Sequence, residues 1–251
     1  MAEAPGLHSV VRTMGTVFSC TVRDAATPAL RTALDEAAAL LRHLDAVFSP
    51  FRADSAVCRI RRGESVPAAW EEEVREVVAL CDEAGRRSDG YFSQRHSGVF
   101  DPTGLVKGWA VERAARLLRD AGAAHVCLNG GGDVQLHGGP WRVGITDPLR
   151  PGKTVAVVTS DEGPLAIATS GPAERGHHIV DPRTGAPPRA GLASLTVVAP
   201  GLTEADTLAT AAYARGPGAR AWLEALPHVA AFAVTADGET WATPGPGRSA
   251  P

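Results

Sequence analysis

Apolar residues recur at intervals of three and four in three long stretches of the chain, and at intervals of two in several short ones. Between residues 28 and 48, Leu30, Leu34, Ala37, Ala38, Leu41, Leu44 and Phe48 fall on one helical face, and Pro50 ends the run. Residues 67–85 read as a second amphipathic helix with an acidic first turn (Glu71, Glu72, Glu73), which the helix dipole favours. A third helix is predicted over about 106–121, with Ala110, Ala114, Leu117 and Leu118 inward and Gly122 as its terminator. Residues 15–23 alternate as a strand. From 124 to 168 the pattern changes to short strands with turns at Gly130-Gly131-Gly132, at 137–140 and at Asp147-Pro148. A strand over 194–199, helices over 204–215 and 218–226, and strands over 228–235 and 239–242 complete the pattern. Helices in one block and hairpins in another predict an α+β fold rather than a doubly wound sheet. No internal repeat is read. The length suits one large domain or two small ones; residues 1–243 are expected to form a single domain and the Pro/Gly-rich tail 244–251 to be disordered.

Composition narrows the function classes. With 251 residues the chain can bury a core without staples. A net charge of −3 supplies no basic field, so nucleic acid is not an expected partner. Cys20, Cys58, Cys81 and Cys127 include no CxxC pair, so reduced, buried thiols are expected. No run approaches 18 apolar residues, so no membrane span is expected. Val17-Phe18-Ser19-Cys20 loosely matches a lipoprotein box. Glu3, Pro5, His8 and Arg12 ahead of it leave no apolar segment, which predicts a cytoplasmic protein.

Four blocks carry candidate chemistry. Asp101-Pro102-Thr103-Gly104 leads into the third helix, whose N-terminus suits phosphate. The predicted boundary puts Lys107 in its first turn, where a cation opposes the dipole, so an anionic partner is one reading. The other is a helix capped by Asp101 or Thr103 with a solvated Lys107. Asn129-Gly130-Gly131-Gly132-Asp133 lacks dinucleotide-fingerprint spacing and reads first as a hairpin turn. His177 and His178 lie in a loop rich in turn formers, and one of them could supply a general base. Asp206 and Thr210, four apart on a helix, offer hard oxygen ligands for Mg²⁺, whereas Thr203 with Asp206 also approximates a capping box.

In this order the blocks resemble the ApbE family, the FAD:protein FMN transferases. The resemblance rests on Met14-Gly15-Thr16, 51–55, 101–110, 129–133, Ala168-Thr169-Ser170-Gly171, 178–185 and 205–210. It implies a bilobed, T-fold-like α+β architecture, with antiparallel sheets flanked by helices and a ligand cleft between the lobes. It implies that FAD is the substrate, that Mg²⁺ sits on its pyrophosphate, and that the FMN half passes to a threonine or serine hydroxyl of an acceptor protein with release of AMP. FAD hydrolysis to FMN and AMP, or flavin binding without turnover, are the alternatives. Family metal positions fall on the Gly104 carbonyl, Asp206 and Thr210. Flavin-nucleotide positions fall on Met14, Phe51, Tyr91, Phe92, Ser93, Asp101, Lys107 and Val180. The family base falls on His178, and Lys107 adds positive charge for catalysis. The chain departs from the family pattern in a shortened segment between Gly90 and Asp101, in Ser93 where an aspartate is usual, in Arg61 where an asparagine is usual, and in Phe51 where tyrosine is frequent.

Overall fold

Thr27 opens the first helix by accepting the Leu30 amide on its hydroxyl, with Pro28 at the first helical position, where a missing N–H costs nothing. That capping belongs to the structure of residues 6–96, 98–172, 179–188 and 191–245, a computed structural model. In chain order, β1 (Leu7–Thr13) and β2 (Thr16–Val22) form a hairpin, followed by α1 (Pro28–Phe48), α2 (Ala56–Arg61) and α3 (Glu71–Arg87). The short pair β3 (Arg95–His96) and β4 (Val99–Phe100) leads into α4 (Thr103–Asp120). Strands β5 (Val126–Gly130), β6 (Asp133–His137), β7 (Trp141–Thr146), β8 (Thr154–Ser160) and β9 (Leu165–Ser170) come next. Then follow β10 (Leu192–Ala199), α5 (Leu202–Arg215), α6 (Ala219–Glu224), β11 (Ala230–Thr235) and β12 (Thr240–Ala242).

Eight strands form one antiparallel sheet in the order β1-β2-β5-β6-β9-β10-β11-β12. Each half of it is a hairpin, a helical connection and a second hairpin, so the topology repeats although the sequence does not. The helical connection is long in the first half and short in the second, which hides the repeat from the residue pattern. The halves meet at the β6–β9 seam, where Val134 pairs with Ile167. Helices α4 and α5 lie against each other on one face of the sheet. Their apolar sides bury Leu105, Leu118, Leu202 and the sheet's Leu195 completely. On the opposite face, Trp141 of the β7–β8 hairpin covers Val134 and Leu136 in a smaller cluster.

Elements and boundaries both differ from the periodicity, and the second predicted helix starts at Glu71 and ends at Arg87 rather than spanning 67–85. Strand β1 was not expected, because only Leu7 and Val11 turn inward while Val10 is half exposed. Helix α2 has six residues, too few to show a period. Helix α4 starts at Thr103, not near 106, so Lys107 lies in its second turn. Among the described residues no helix is long and apolar enough to cross a membrane. Of the expected tail, residues 246–251 lie outside the described ones.

Candidate functional site

A cleft of about 580 Å³ opens where the two halves of the sheet meet, at the end marked by the β5–β6 turn and the last residues of β9. Gly131 and Gly132, with φ of +61° and +94°, form the two-residue turn, a conformation that glycine takes without strain. The Asn129 side-chain oxygen accepts the Gly132 amide at 3.0 Å. A Cβ at Gly131 would come within 2.6 Å of the Thr16 hydroxyl, so the turn lies tight on the first hairpin. This hairpin turn also lines the cleft.

The turn delivers Asp133, only 2% exposed, to the helical face of the sheet. Its carboxylate pairs with the Lys107 ammonium from α4, and its Oδ1 accepts the Thr169 amide at 3.0 Å. Lys107 is therefore not a solvated cation. The pattern along the chain singled out Lys107 but not its acid. Only the final position of the glycine block carried any signal for Asp133.

Asp206 lies on the α5 face that meets α4, and its Oδ2 accepts the Gly108 amide at 3.1 Å. In a regular helix that amide points to the Gly104 carbonyl, so the carbonyl and the carboxylate flank one N–H. Thr210 follows one turn along α5 and, like Gly104 and Asp206, lines the cleft. A Cβ at Gly104 would sit 3.4 Å from the Phe92 ring and 3.9 Å from the Thr210 methyl, so these residues are neighbours. The capping-box reading of Thr203 and Asp206 does not hold. The α5 N-terminus has no side-chain cap of its own, and Glu112 of α4 accepts both the Thr203 amide at 2.9 Å and the Thr203 hydroxyl at 2.7 Å. Asp206 is thereby released from capping, 6% exposed and turned to the α4 interface.

Asp101 precedes α4 and does cap it, Oδ1 accepting the Thr103 amide at 3.1 Å. Its Oδ2 is held by Arg61 at 3.1 Å, and Arg61 Nε donates to the Phe100 carbonyl at 2.8 Å. Arg61 thus ties the segment after α1 to the start of α4. Tyr91 lines the cleft, with the guanidiniums of Arg183 and Arg215 4.6 and 4.5 Å from its ring centre. Phe92 is buried beside Gly104, and the Ser93 hydroxyl closes a local turn through Arg95. Val180 also lines the cleft.

Beyond the seam the cleft continues onto the face covered by the β7–β8 hairpin. Its walls there include Ile145, Ile167, Thr169 and Ser194. Asp147 stands at that lip with its carboxylate closed into the β7–β8 turn, accepting Arg150 Nε at 2.7 Å and the Leu149 amide at 2.9 Å. The Arg150 guanidinium, and then the turn amides, hold it below the usual carboxylate range. Of this part of the cleft, sequence reasoning assigned a site role to Val180 alone, although Thr169 lies in the Ala168-Thr169-Ser170-Gly171 block that carries the family resemblance. The signal available was the Asp147-Pro148 turn inside the hairpin block.

The cleft therefore gathers Tyr91, Phe92, Ser93, Asp101, Gly104, Lys107, Val180, Asp206 and Thr210 from separate parts of the chain. Met14 and Phe51 are not among its lining residues. Met14 occupies the β1–β2 turn at φ +49° and packs on the core, while Phe51 is 93% exposed after α1. His177 and His178 lie outside the described residues. The four cysteines are free thiols, and burial pushes Cys20 and Cys81 up to about 12, so neither is a thiolate nucleophile. Among the described residues no group of three His, Cys, Asp or Glu side chains forms a metal cluster. The Gly104 carbonyl, Asp206 and Thr210 are instead a sparse set of hard oxygen donors, the chemistry that suits Mg²⁺ retaining water or phosphate oxygens.

The sequence model of the ApbE family matches residues 14–95 and 93–233. A protein of Escherichia coli (strain K12) named FAD:protein FMN transferase is 30% identical over 160 residues, 57% of this chain and 45% of that one. One of the same name from Rhodobacter capsulatus is 37% identical over 158 residues, 55% of this chain and 28% of that one. The matched stretch is thus less than half the length of these relatives. Among solved structures, the apo flavinyl transferase ApbE of Pseudomonas stutzeri superposes with a TM-score of 0.79 at 27% identity, covering 95% of this chain and 94% of that one. An ApbE protein of Thermotoga maritima superposes with a TM-score of 0.81, covering 95% of this chain and 97% of that one, and at 22% identity it bears on the fold alone.

Proposed function

The chain belongs to the ApbE family, and on that premise we propose that it transfers the FMN half of FAD to a threonine or serine hydroxyl of an acceptor protein, using Mg²⁺ and releasing AMP. The observation that carries the reading is the convergence of Lys107, Asp206 and Thr210 in one cleft that has charged groups on the helical face and a largely uncharged wall on the other. A dinucleotide likewise joins a charged pyrophosphate to uncharged ring systems.

In this reading the Gly104 carbonyl, Asp206 and Thr210 are the residues that would hold Mg²⁺. When bound, the cation supplies charge neutralisation for phosphoryl transfer. The chain's own residues do the rest. Lys107, oriented by Asp133, presents its ammonium to the phosphate oxygens. Gly108 fixes the Asp206 carboxylate through its amide. Tyr91, Phe92 and Val180 shape the walls, and Asp101 anchors the start of α4. His178 accepts the proton of the attacking hydroxyl. The hydroxyl oxygen bonds to the phosphorus on the FMN side, the bond from that phosphorus to the bridging oxygen breaks, and AMP leaves carrying the bridging oxygen.

The test is incubation with FAD, Mg²⁺ and a threonine-bearing acceptor, read by intact mass and AMP release. A mass increase of one FMN with matching AMP is expected. AMP released equally well without acceptor would instead mark a hydrolase, and FAD binding with no AMP would mark a binding module.

A further inference from the structure

Ser194, on β10, lines the part of the cleft beyond the seam, is 4% exposed, and its hydroxyl has no hydrogen-bond partner among the described residues. Strand alternation sets it on the same face as Thr196, opposite the fully buried Leu195. The Thr196 hydroxyl is satisfied by Thr169 Oγ1 at 2.9 Å, and the hydroxyl two residues earlier is not. Gly171 lies beside it. A Cβ there would stand 3.3 Å from Ser194 Cα, 3.5 Å from its Cβ and 2.7 Å from the Ala193 carbonyl, so a side chain at 171 would crowd the serine's flank. The next pair along this face is Thr169 with Thr196, and Ile145, Ile167 and Ile179 line the same cleft. A buried hydroxyl in the cleft wall with an open flank is a polar group short of one partner, and native structures rarely leave such groups unsatisfied.

We propose that Ser194 is a specificity-determining residue whose hydroxyl hydrogen-bonds the polar edge of a planar nitrogen heterocycle seated in this part of the cleft. The proposal rests on the dinucleotide reading above: with the pyrophosphate at the charged end, one of the two ring systems lies on the sheet face. A flavin and an adenine both offer in-plane acceptors, so the partner is the heterocyclic edge, and separate probes assign which ring supplies it.

The experiment measures binding of FMN, AMP and, for the charged end, inorganic pyrophosphate with Mg²⁺, to the wild-type chain and to Ser194→Ala, with a thermal melt of each. Ser194→Ala is expected to weaken either FMN or AMP by about 5- to 50-fold, to leave the other nucleotide and pyrophosphate unchanged, and to leave the melting temperature equal or higher, since an unpaired buried hydroxyl is removed. Loss for FMN assigns the flavin ring, and loss for AMP the adenine. Wild-type affinity for both nucleotides in Ser194→Ala overturns the inference, as does a lower melting temperature with all three probes weakened together. A wild-type chain that binds neither nucleotide overturns the dinucleotide reading as well.

Discussion

The Gly108 amide donates to Asp206 Oδ2 at 3.1 Å, and a Cβ on residue 108 would come within 2.8 Å of both the Asp206 Cβ and the Leu202 carbonyl. A glycine in the second turn of α4 therefore sets how closely α5 approaches, and with it where the carboxylate stands relative to Gly104. Backbone on the far side leaves no cheap way to relieve an added methyl.

Gly108→Ala should consequently push α5 away. The overpacking penalty exceeds the gain in helix propensity, for a net loss of about 1–2 kcal/mol in urea denaturation. Transfer should fall further than stability does, by about 100-fold in the folded protein, because a shift near 1 Å in a positioning group has that effect. Unchanged transfer in a folded variant would show that α4–α5 spacing does not control the site.

Asp206→Asn separates charge from shape. The asparagine oxygen can still accept the Gly108 amide, so stability should change by less than about 1 kcal/mol. Mg²⁺-dependent transfer should drop below detection, and chelating the metal from the wild-type protein should have the same effect. A variant as active as wild type at saturating Mg²⁺ would remove Asp206 from the metal set.

Lys107→Met leaves Asp133, 2% exposed, without its cation. Breaking such a pair from one side costs about 3 kcal/mol, because an uncompensated buried charge remains. The double variant with Asp133→Asn should recover part of that loss, giving a coupling of about 1–3 kcal/mol in a double-mutant cycle. Strictly additive losses would mean that the pair is not coupled.

Much of this was legible in the residue pattern, and what was not has identifiable causes. Helix α1 has the boundaries its periodicity predicts, since Thr27, Pro28 and Pro50 punctuate it locally. The start of α4 is misplaced by reading apolar residues alone: Asp101 supplies the capping oxygen from outside the helix, so Thr103 and Gly104 are already helical. The ambiguity at Asp206 could not be resolved locally, because the group that caps α5 is Glu112, 91 positions away in sequence. Asp133 was hidden for a similar reason. Its partner Lys107 comes from another element, and a glycine turn followed by an acid is common in hairpins that bind nothing.

Glu204, at the start of α5, provides a pH test of how that helix is anchored. Burial raises its pKa, but hydrogen bonds from His228 and Arg87 outweigh this and hold it below the ordinary 4.5. A carboxylate with a lowered folded pKa binds fewer protons in the native state, so its contribution is present above about pH 4.5 and is lost as pH falls through the folded value. Partial exposure keeps that contribution near or below about 1 kcal/mol. Wild type should melt above Glu204→Gln at neutral pH, with the gap closing under acid. A gap that widens on acidification would reverse the sign of the argument.

The proton acceptor is the remaining assignment to test. Ile179 and Val180 line the cleft, and His178 immediately precedes them in sequence, whereas His177 is one residue further away. The family pattern places the base directly before the Ile179-Val180-Asp181-Pro182 run, so the imidazole of His178, and not that of His177, should serve the attacking hydroxyl. His178→Ala should slow transfer about 10²- to 10⁴-fold with FAD affinity retained, and the residual rate should lose its dependence on a group titrating near neutral pH. His177→Ala should leave that pH profile intact. Equal losses in the two variants, or a profile unchanged in His178→Ala, would place the base elsewhere and leave the charged end of the cleft to act on a hydroxyl that loses its proton to water.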